Sequence, residues 1–158
     1  MVRIILGIII GYLAIAIIVF AGLSAAWLIL GPERAFQPGV YDLAPAWGIA
    51  AVVVNIIAAI TGGVICRKLS RTPTGHRVFA IIVFILGLLV ALPTLQADDE
   101  PPAVRPSEIP MLEAMRDAKQ PTWFAFTNPF VAAIGIMLGG AGQSAGGRKR
   151  LAMGEDDS

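Results

Sequence analysis

The chain is poor in cysteine, histidine and charge. Cys66 is its only cysteine and His76 its only histidine, so an intramolecular disulfide and the paired-histidine or cysteine-cluster metal motifs are excluded. Charged residues make up only 15% of the 158 residues. No constellation of acid, base and nucleophile can be assembled, and no basic domain is present to bind nucleic acid. The sequence therefore predicts a protein that is not an enzyme and that binds no cofactor or metal.

Apolar residues dominate what is present. They account for 56% of the chain, and the mean hydropathy of +0.76 lies outside the usual balance of a soluble domain. Four apolar runs, at about 4–30, 47–66, 78–95 and 123–142, are each about long enough to cross a bilayer as a helix. We expect an all-α, polytopic membrane protein in which residues 1–145 form a single four-helix domain. The glycine- and charge-rich residues 146–158 are predicted to be a disordered tail.

Basic residues predict the orientation in the membrane. A connector at 67–77 between the second and third runs carries no acid and four cations, namely Arg67, Lys68, Arg71 and Arg77. Positive charge close to a membrane span favours the cytoplasmic side. Arg3 and the cluster Arg148, Lys149 and Arg150 then fall on that same side. The pattern predicts cytoplasmic termini in a bacterial inner membrane. The same cations could bind anionic lipid headgroups. The bias of positive charge towards the cytoplasmic side accounts for their presence equally well.

The two remaining connections, 31–46 and 96–121, are then extracytoplasmic. The acidic run Asp98-Asp99-Glu100 lacks the spacing of a calcium loop and is interpreted as a solvated segment. Residues 108–118 are predicted to form a short interfacial helix. His76 is interpreted as a loop residue near the headgroups, because no potential metal ligand is close to it in sequence.

Small residues predict how the helices pack. Gly7 and Gly11 in the first run, and Gly135 and Gly139 in the fourth, are four apart and so share a helix face. Whether such pairs meet within one chain or between chains is left open by the sequence. In the second run, Asn55, Ala59 and Gly63 follow one another along a face, and the Asn55 amide needs a hydrogen-bond partner near the bilayer midplane.

Proline and glycine set the ends of the helices. Gly31-Pro32 is expected to end the first helix, and Pro93 interrupts the third near its end. Pro129 either kinks the fourth helix or opens it with Asn128 as its cap.

A set of short motifs carries a resemblance. Gly11-Tyr12 in the first helix, Trp27 before Gly31-Pro32, and Gly62-Gly63 in the second helix occur in an order that resembles small four-helix bacterial membrane proteins without an assigned activity. The resemblance covers about the first half of the chain. It implies the same four-span topology and brings no activity with it.

Two functions follow as hypotheses. The first is a non-enzymatic accessory or assembly role, in which the small-residue faces pack against each other, against sister chains or against a larger membrane complex. The alternative is an oligomeric transporter or channel for a small solute, with Asn55 and Thr61 lining its path. Membrane lipids and either a second copy or a larger complex are the expected partners.

Overall fold

The computed structural model describes residues 1–97, 118–119 and 121–153, and the regular elements of these residues are helices. In chain order they are α1 (Val2–Leu30), α2 (Pro32–Ala35), α3 (Pro45–Ser70), α4 (Pro73–Ala91), α5 (Thr94–Ala97) and α6 (Thr122–Met153). Four helices, α1, α3, α4 and the Thr122–Gly142 part of α6, are long and apolar enough to cross a membrane. The all-α class and the four candidate spans are thus confirmed. Of the predicted interfacial helix 108–118, all but Ala118 falls outside the described residues.

The basic connector is much shorter than predicted. Helix α3 continues to Ser70 and α4 begins at Pro73, so that only Arg71 and Thr72 join them. Pro73 suits the first position of a helix, and Thr72 has the extended backbone (φ −130°, ψ 145°) that a following proline favours. The interpretation of 67–77 as a loop was therefore wrong, since most of these residues belong to the two helices.

The third span is shifted along the sequence. Helix α4 begins five residues earlier than predicted and ends at Ala91, because Pro93 cannot continue the hydrogen-bond ladder. The Thr94 hydroxyl donates to the carbonyl of Ala91 at 2.7 Å and stabilises the turn. Thr94 and Leu95, which fall within the predicted third run (78–95), therefore belong to α5 and not to α4.

Pro129 lies inside α6, which begins at Thr122. Asn128 is therefore not a helix cap, and this decides between the two alternatives for the start of the fourth helix. The helix also passes its predicted end at Gly142 and continues to Met153. A glycine inside a helix costs only about 1 kcal/mol relative to alanine, so a glycine-rich stretch does not by itself end a helix. Residues 154–158 lie outside the described part.

Helix α3 lies at the centre of the bundle. It packs along α1 on one side and along α6 on the other, while α4 packs mainly against α6. Contact between α1 and α4 is limited, and Gly11 meets the Phe79 ring there. A buried cluster joins the helices at this level; its members are Ala59, Cys66, Phe79, Ala80 and Ile136.

The connection between α1 and α3 folds into a small aromatic cluster at the other end of the bundle. We call Trp27, Phe36, Tyr41 and Trp47 the aromatic cap. The Trp27 ring packs edge-on against Phe36 and Trp47, with centroid distances of 6.1 and 6.0 Å. Phe36, Tyr41 and Trp47 are buried. The contact between Trp27 and Trp47 thus joins the end of α1 to the start of α3.

Candidate functional site

Close backbone contacts hold α1 against α3. A Cβ atom added at Gly7 would lie 3.0 Å from the carbonyl oxygen of Cys66, and one added at Gly11 would lie 3.0 Å from the carbonyl oxygen of Gly62. Both glycines are buried. The first predicted glycine pair is therefore used within the chain, at a distance that a larger side chain would prevent.

The second glycine pair joins α6 to α3 in the same way. A Cβ atom at Gly135 would lie 2.6 Å from the Cβ of Ala59, and one at Gly139 would overlap the carbonyl group of Ile60. Gly63, on α3, is equally close to the backbone of Ile136. The question left open by the sequence is thereby answered, because both glycine pairs and the Ala59–Gly63 face meet partners in the same chain.

Asn55 finds its partner on the fourth span. Its side-chain nitrogen Nδ2 donates a hydrogen bond to Oδ1 of Asn128 at 3.0 Å. The hydrogen-bond partner that the Asn55 amide was expected to need thus lies on another helix. With this hydrogen bond and the glycine contacts, all seven predicted packing residues make contacts within the bundle. They are Gly7, Gly11, Asn55, Ala59, Gly63, Gly135 and Gly139.

Thr61 has a local partner. Its hydroxyl donates to the carbonyl oxygen of Ile57, one turn earlier in α3, at 2.8 Å. Neither Thr61 nor Asn55 lines the cleft described next, whereas Asn128 does. From the sequence, Asn128 was expected only as a possible helix cap, and its place on this wall was not predicted.

A cleft with a volume of about 880 Å³ lies between α4 and α6. Its α4 wall is formed by Val83, Leu86, Gly87, Val90 and Ala91. The α6 wall is formed by Ala125, Asn128, Pro129 and Ala132. The walls meet where Gly87 lies against the Pro129 ring, since an added Cβ at Gly87 would be 2.8 Å from Cγ of Pro129. Apart from the Asn128 amide, both walls are apolar.

The two ends of the cleft differ. At the deep end lies Tyr12 of α1, and beyond it the helices close where Gly11 meets Phe79. The polar end, which we call the mouth, is lined by Gln37, Asp42, Thr94, Ala118 and Lys119. Among the described residues, the mouth thus carries one acidic side chain, Asp42, and one basic side chain, Lys119, while the rest of the lining is largely apolar.

Backbone hydrogen bonds fix the mouth. The Lys119 N–H donates to the carbonyl of Tyr41 at 3.0 Å, and the Leu43 N–H donates to the carbonyl of Lys119 at 3.2 Å. Asp42 and Lys119 are therefore held side by side as a bridge between distant parts of the chain. Nothing in the local sequence around either residue indicated this pairing.

A group of basic residues lies at the end opposite the mouth, whereas Arg34 and Lys119 lie at the mouth end. An added Cβ at Gly7 would lie 3.3 Å from the Ser70 backbone nitrogen, and Gly140 lies against the His76 ring, so the start of α1 and the later part of α6 both reach the α3–α4 turn. The cations at or next to this turn are Arg67, Lys68, Arg71 and Arg77. Arg148, Lys149 and Arg150 follow further along α6.

The predicted position of His76 was wrong, because the residue is buried. Only 4% of its surface is exposed, because α4 begins at Pro73 and places His76 in a helical turn against Gly140. It is therefore a buried residue of α4 and not a loop residue near the headgroups. Its Nδ1 atom has no hydrogen-bond partner among the described residues.

No group of three His, Cys, Asp or Glu side chains that could hold a metal ion comes together in the described part of the chain. No nucleophile motif was expected from the sequence, yet Gly142–Gly146 matches the G-x-S-x-G pattern of a hydrolase nucleophile. That motif works at a sharp turn between a strand and a helix. Here it lies within the continuous helix α6, so the pattern carries no catalytic argument.

Comparisons with protein-family models, with curated proteins and with solved structures found no match to this chain.

Proposed function

We propose that this protein is a non-enzymatic accessory or assembly protein of a bacterial inner membrane. The observation that carries the proposal is the Asn55–Asn128 hydrogen bond. Intramembrane polar groups are candidates for a solute path by default. The side chains of Asn55 and Asn128, however, bond to each other and so join two helices. Thr61 bonds to its own helix, and the glycines serve close packing. The polar and small residues of the spans thus build a scaffold.

A partner would need a surface other than the glycine faces, because these are occupied within the bundle. Helix α1 offers one. On the side opposite Gly7 and Gly11, it presents a row of exposed apolar residues, Ile5, Ile9, Leu13, Ile17 and Phe20. A helix of a larger membrane complex or of a second copy would pack against this row through van der Waals contacts.

Site-specific photo-crosslinking tests the accessory role. A benzophenone side chain is introduced at Ile9, and the matched control is Ile85 on α4, since both residues are 51% exposed. In native membranes, we expect a discrete protein adduct from Ile9 and none from Ile85. The absence of an adduct at Ile9, or the same adducts at both positions, would contradict docking on α1. If the only adduct is to a second copy of this chain, the result would favour the alternative function, an oligomeric transporter or channel.

The proposed topology has both termini in the cytoplasm. It is supported by the four cations Arg67, Lys68, Arg71 and Arg77 at the end of the bundle where α3 joins α4, which the start of α1 and the later part of α6 also reach. The mouth of the cleft is then extracytoplasmic. Positive charge on the cytoplasmic side is the general bias of membrane proteins.

Transport of a small solute by an oligomer is the second candidate. The cleft favours it, because it leads from a polar mouth towards Tyr12. Beyond that point, the buried cluster around Phe79 and Ile136 fills the bundle. Passage would require these residues to separate, so flux through proteoliposomes should rise when Phe79 is replaced by alanine. An unchanged flux in Phe79→Ala would argue against this path.

A further inference from the structure

We propose that the cleft between α4 and α6 binds one neutral quinone with an apolar tail, and that the quinone oxygens accept hydrogen bonds from the Asn128 amide and the Tyr12 hydroxyl. The cleft volume of about 880 Å³ is within the range of sites for single small molecules, about 300–1,000 Å³. The proposal concerns binding alone and includes no electron transfer. It does not depend on the accessory role, which rests on the exposed row of α1.

Asn128 has hydrogen-bond donors that a ligand can use. Its Oδ1 atom accepts the bond from Asn55 Nδ2, and this bond fixes the orientation of the amide. The Nδ2 group of Asn128 donates to no other described residue, and the side chain lines the cleft. An N–H group without an acceptor is costly inside a membrane span. An oxygen atom of a bound ligand would remove this cost.

Tyr12 supplies a second donor at the deep end of the cleft. Its side chain is about half exposed, and its hydroxyl bonds to no described residue. Tyr12 belongs to α1, whereas Asn128 lies on α6, one helical turn or about 6 Å from Ala132 at the end of that wall. A para-quinone has carbonyl oxygens at two opposite positions of its ring. One ring can therefore accept hydrogen bonds from both helices.

The walls leave room for a flat ring and suit an apolar tail. Four lining residues have a side chain of one methyl group or none, namely Gly87, Ala91, Ala125 and Ala132. Larger aliphatic side chains complete the α4 wall, namely Val83, Leu86 and Val90. Contact of these side chains with a hydrocarbon tail removes apolar surface from water and needs no polar partner.

The described residues leave the cleft open along α4. Leu86 and Val90 line it, yet they are 46% and 77% exposed. Both residues lie in a helix that is long and apolar enough to cross a membrane. A quinone dissolves in hydrocarbon and would enter from the bilayer. Because its ring is uncharged, its binding does not depend on the charges at the mouth.

A phospholipid fits the same cleft less well. Its polar group would remain at the mouth, and its methylene groups would lie against the Asn128 amide and the Tyr12 hydroxyl. Both donors would then stay without an acceptor, at the cost of an unpaired polar group in an apolar environment. The two donors thus favour a ligand whose polar atoms lie inside the cleft.

Native mass spectrometry of the full chain in a mild detergent tests the site. The probes are decyl-para-benzoquinone and decylbenzene, which share the tail and differ chiefly in the two carbonyl oxygens. We expect one quinone per chain, retained about tenfold more than decylbenzene, because two hydrogen bonds are added. Equal retention of the two probes, or retention of neither, would overturn the proposal; the latter result includes a cleft filled by residues 98–117 of the chain itself. An equal amount of dioleoyl phosphatidylethanolamine is present as a competitor, and its retention in place of the quinone would also overturn the proposal.

Two tyrosine variants test the donor at the deep end. Tyr12→Phe removes the hydroxyl and keeps the ring, and Tyr41→Phe makes the same replacement in the aromatic cap, outside the cleft. We expect Tyr12→Phe to lower quinone retention by about two- to tenfold and to leave decylbenzene retention unchanged. Tyr41→Phe should change neither. Unchanged quinone retention in Tyr12→Phe, or an equal loss in Tyr41→Phe, would overturn the hydrogen bond from Tyr12.

Two asparagine variants separate ligand binding from helix packing. Asn128→Leu and Asn55→Leu both remove the hydrogen bond between α3 and α6, but only Asn128→Leu removes a donor from the cleft. We therefore expect Asn128→Leu to lower the preference for the quinone over decylbenzene by about two- to tenfold, and Asn55→Leu to keep most of this preference. A loss of preference in Asn55→Leu as large as that in Asn128→Leu would overturn direct contact between Asn128 and the quinone.

Discussion

The side-chain amide of Asn55 donates a hydrogen bond across the α3–α6 interface to the side-chain oxygen of Asn128, 3.0 Å away. The two residues are 73 positions apart in sequence. Asn128 also lies on the wall of the cleft, next to Pro129. One contact therefore connects the packing of the bundle with the shape of its cavity.

A double-mutant cycle measures this contact. Asn55→Leu and Asn128→Leu should each destabilise the protein, and their coupling energy should be about 0.6 kcal/mol and at most about 1.7 kcal/mol, as for other hydrogen bonds between membrane helices. Unfolding in mixed micelles by titration with sodium dodecyl sulfate gives the free energies. As a control, Thr127→Val combined with Asn55→Leu should be additive, because the Thr127 hydroxyl bonds to the Trp123 carbonyl of its own helix. A coupling below about 0.3 kcal/mol for the asparagine pair would contradict the structure.

Two alanine substitutions on α6 test the close approach to α3. A methyl group at Gly139 would overlap the Ile60 carbonyl, whereas nothing lies within 4 Å of the same atom at Gly142. Gly139→Ala should therefore lower the free energy of unfolding by about 1–3 kcal/mol, the usual cost of overpacking. Gly142→Ala should be neutral or stabilising by up to about 1 kcal/mol, since alanine is the better helix former. Equal effects in the same micelle titration would show that α6 does not approach α3 in this way.

Two tryptophans distinguish the aromatic cap from a surface anchor. Trp47 is 8% exposed and packs on Trp27, while Trp123 is 68% exposed. Trp47→Ala should destabilise the protein by about 3–5 kcal/mol, as expected for a large core residue. Trp123→Ala removes the ring contact with Phe124 and should lower the free energy of unfolding by less than about 1.5 kcal/mol. Thermal unfolding in detergent ranks the two variants, and the reverse order would show that the cap is not part of the stable core.

Cysteine labelling in intact cells tests the proposed topology. Replacing the only cysteine with Cys66→Ala gives a background in which single cysteines are introduced at Arg34 and Lys68, both exposed in the structure. A maleimide that does not cross the inner membrane should label Arg34→Cys and should label Lys68→Cys only after the membrane is opened. Labelling of Lys68→Cys in intact cells would show that the orientation is the opposite of the one proposed.

The sequence predicted the elements well where the signal is local. Long apolar runs gave the four candidate spans, and Gly31 with Pro32 marked the end of α1 at Leu30. Boundaries were less accurate where helices are polar. Arg67 and Lys68 extend α3, and the turn from Pro73 to Arg77 extends α4, because the backbone hydrogen bonds of a helix do not require apolar side chains.

The candidate site was predicted only in part. The four-residue spacing of Gly7 and Gly11 correctly marked a packing face, yet it does not say which helix the face meets. The partner of Asn55 and the pairing of Asp42 with Lys119 both join residues far apart in the chain. No periodicity within one segment contains such information.

By itself, the sequence determined that this is a helical chain with four segments able to cross a membrane, because hydropathy and helix breakers act locally. The tertiary structure decided which faces meet, that the glycine pairs are used within the chain, and that α4 and α6 leave a cleft with Asp42 and Lys119 at its mouth. The physical reason is that in a membrane the hydrophobic effect does not select partners among apolar helices. Close backbone approach and a few hydrogen bonds make that selection, and both depend on residues that only the folded chain brings together.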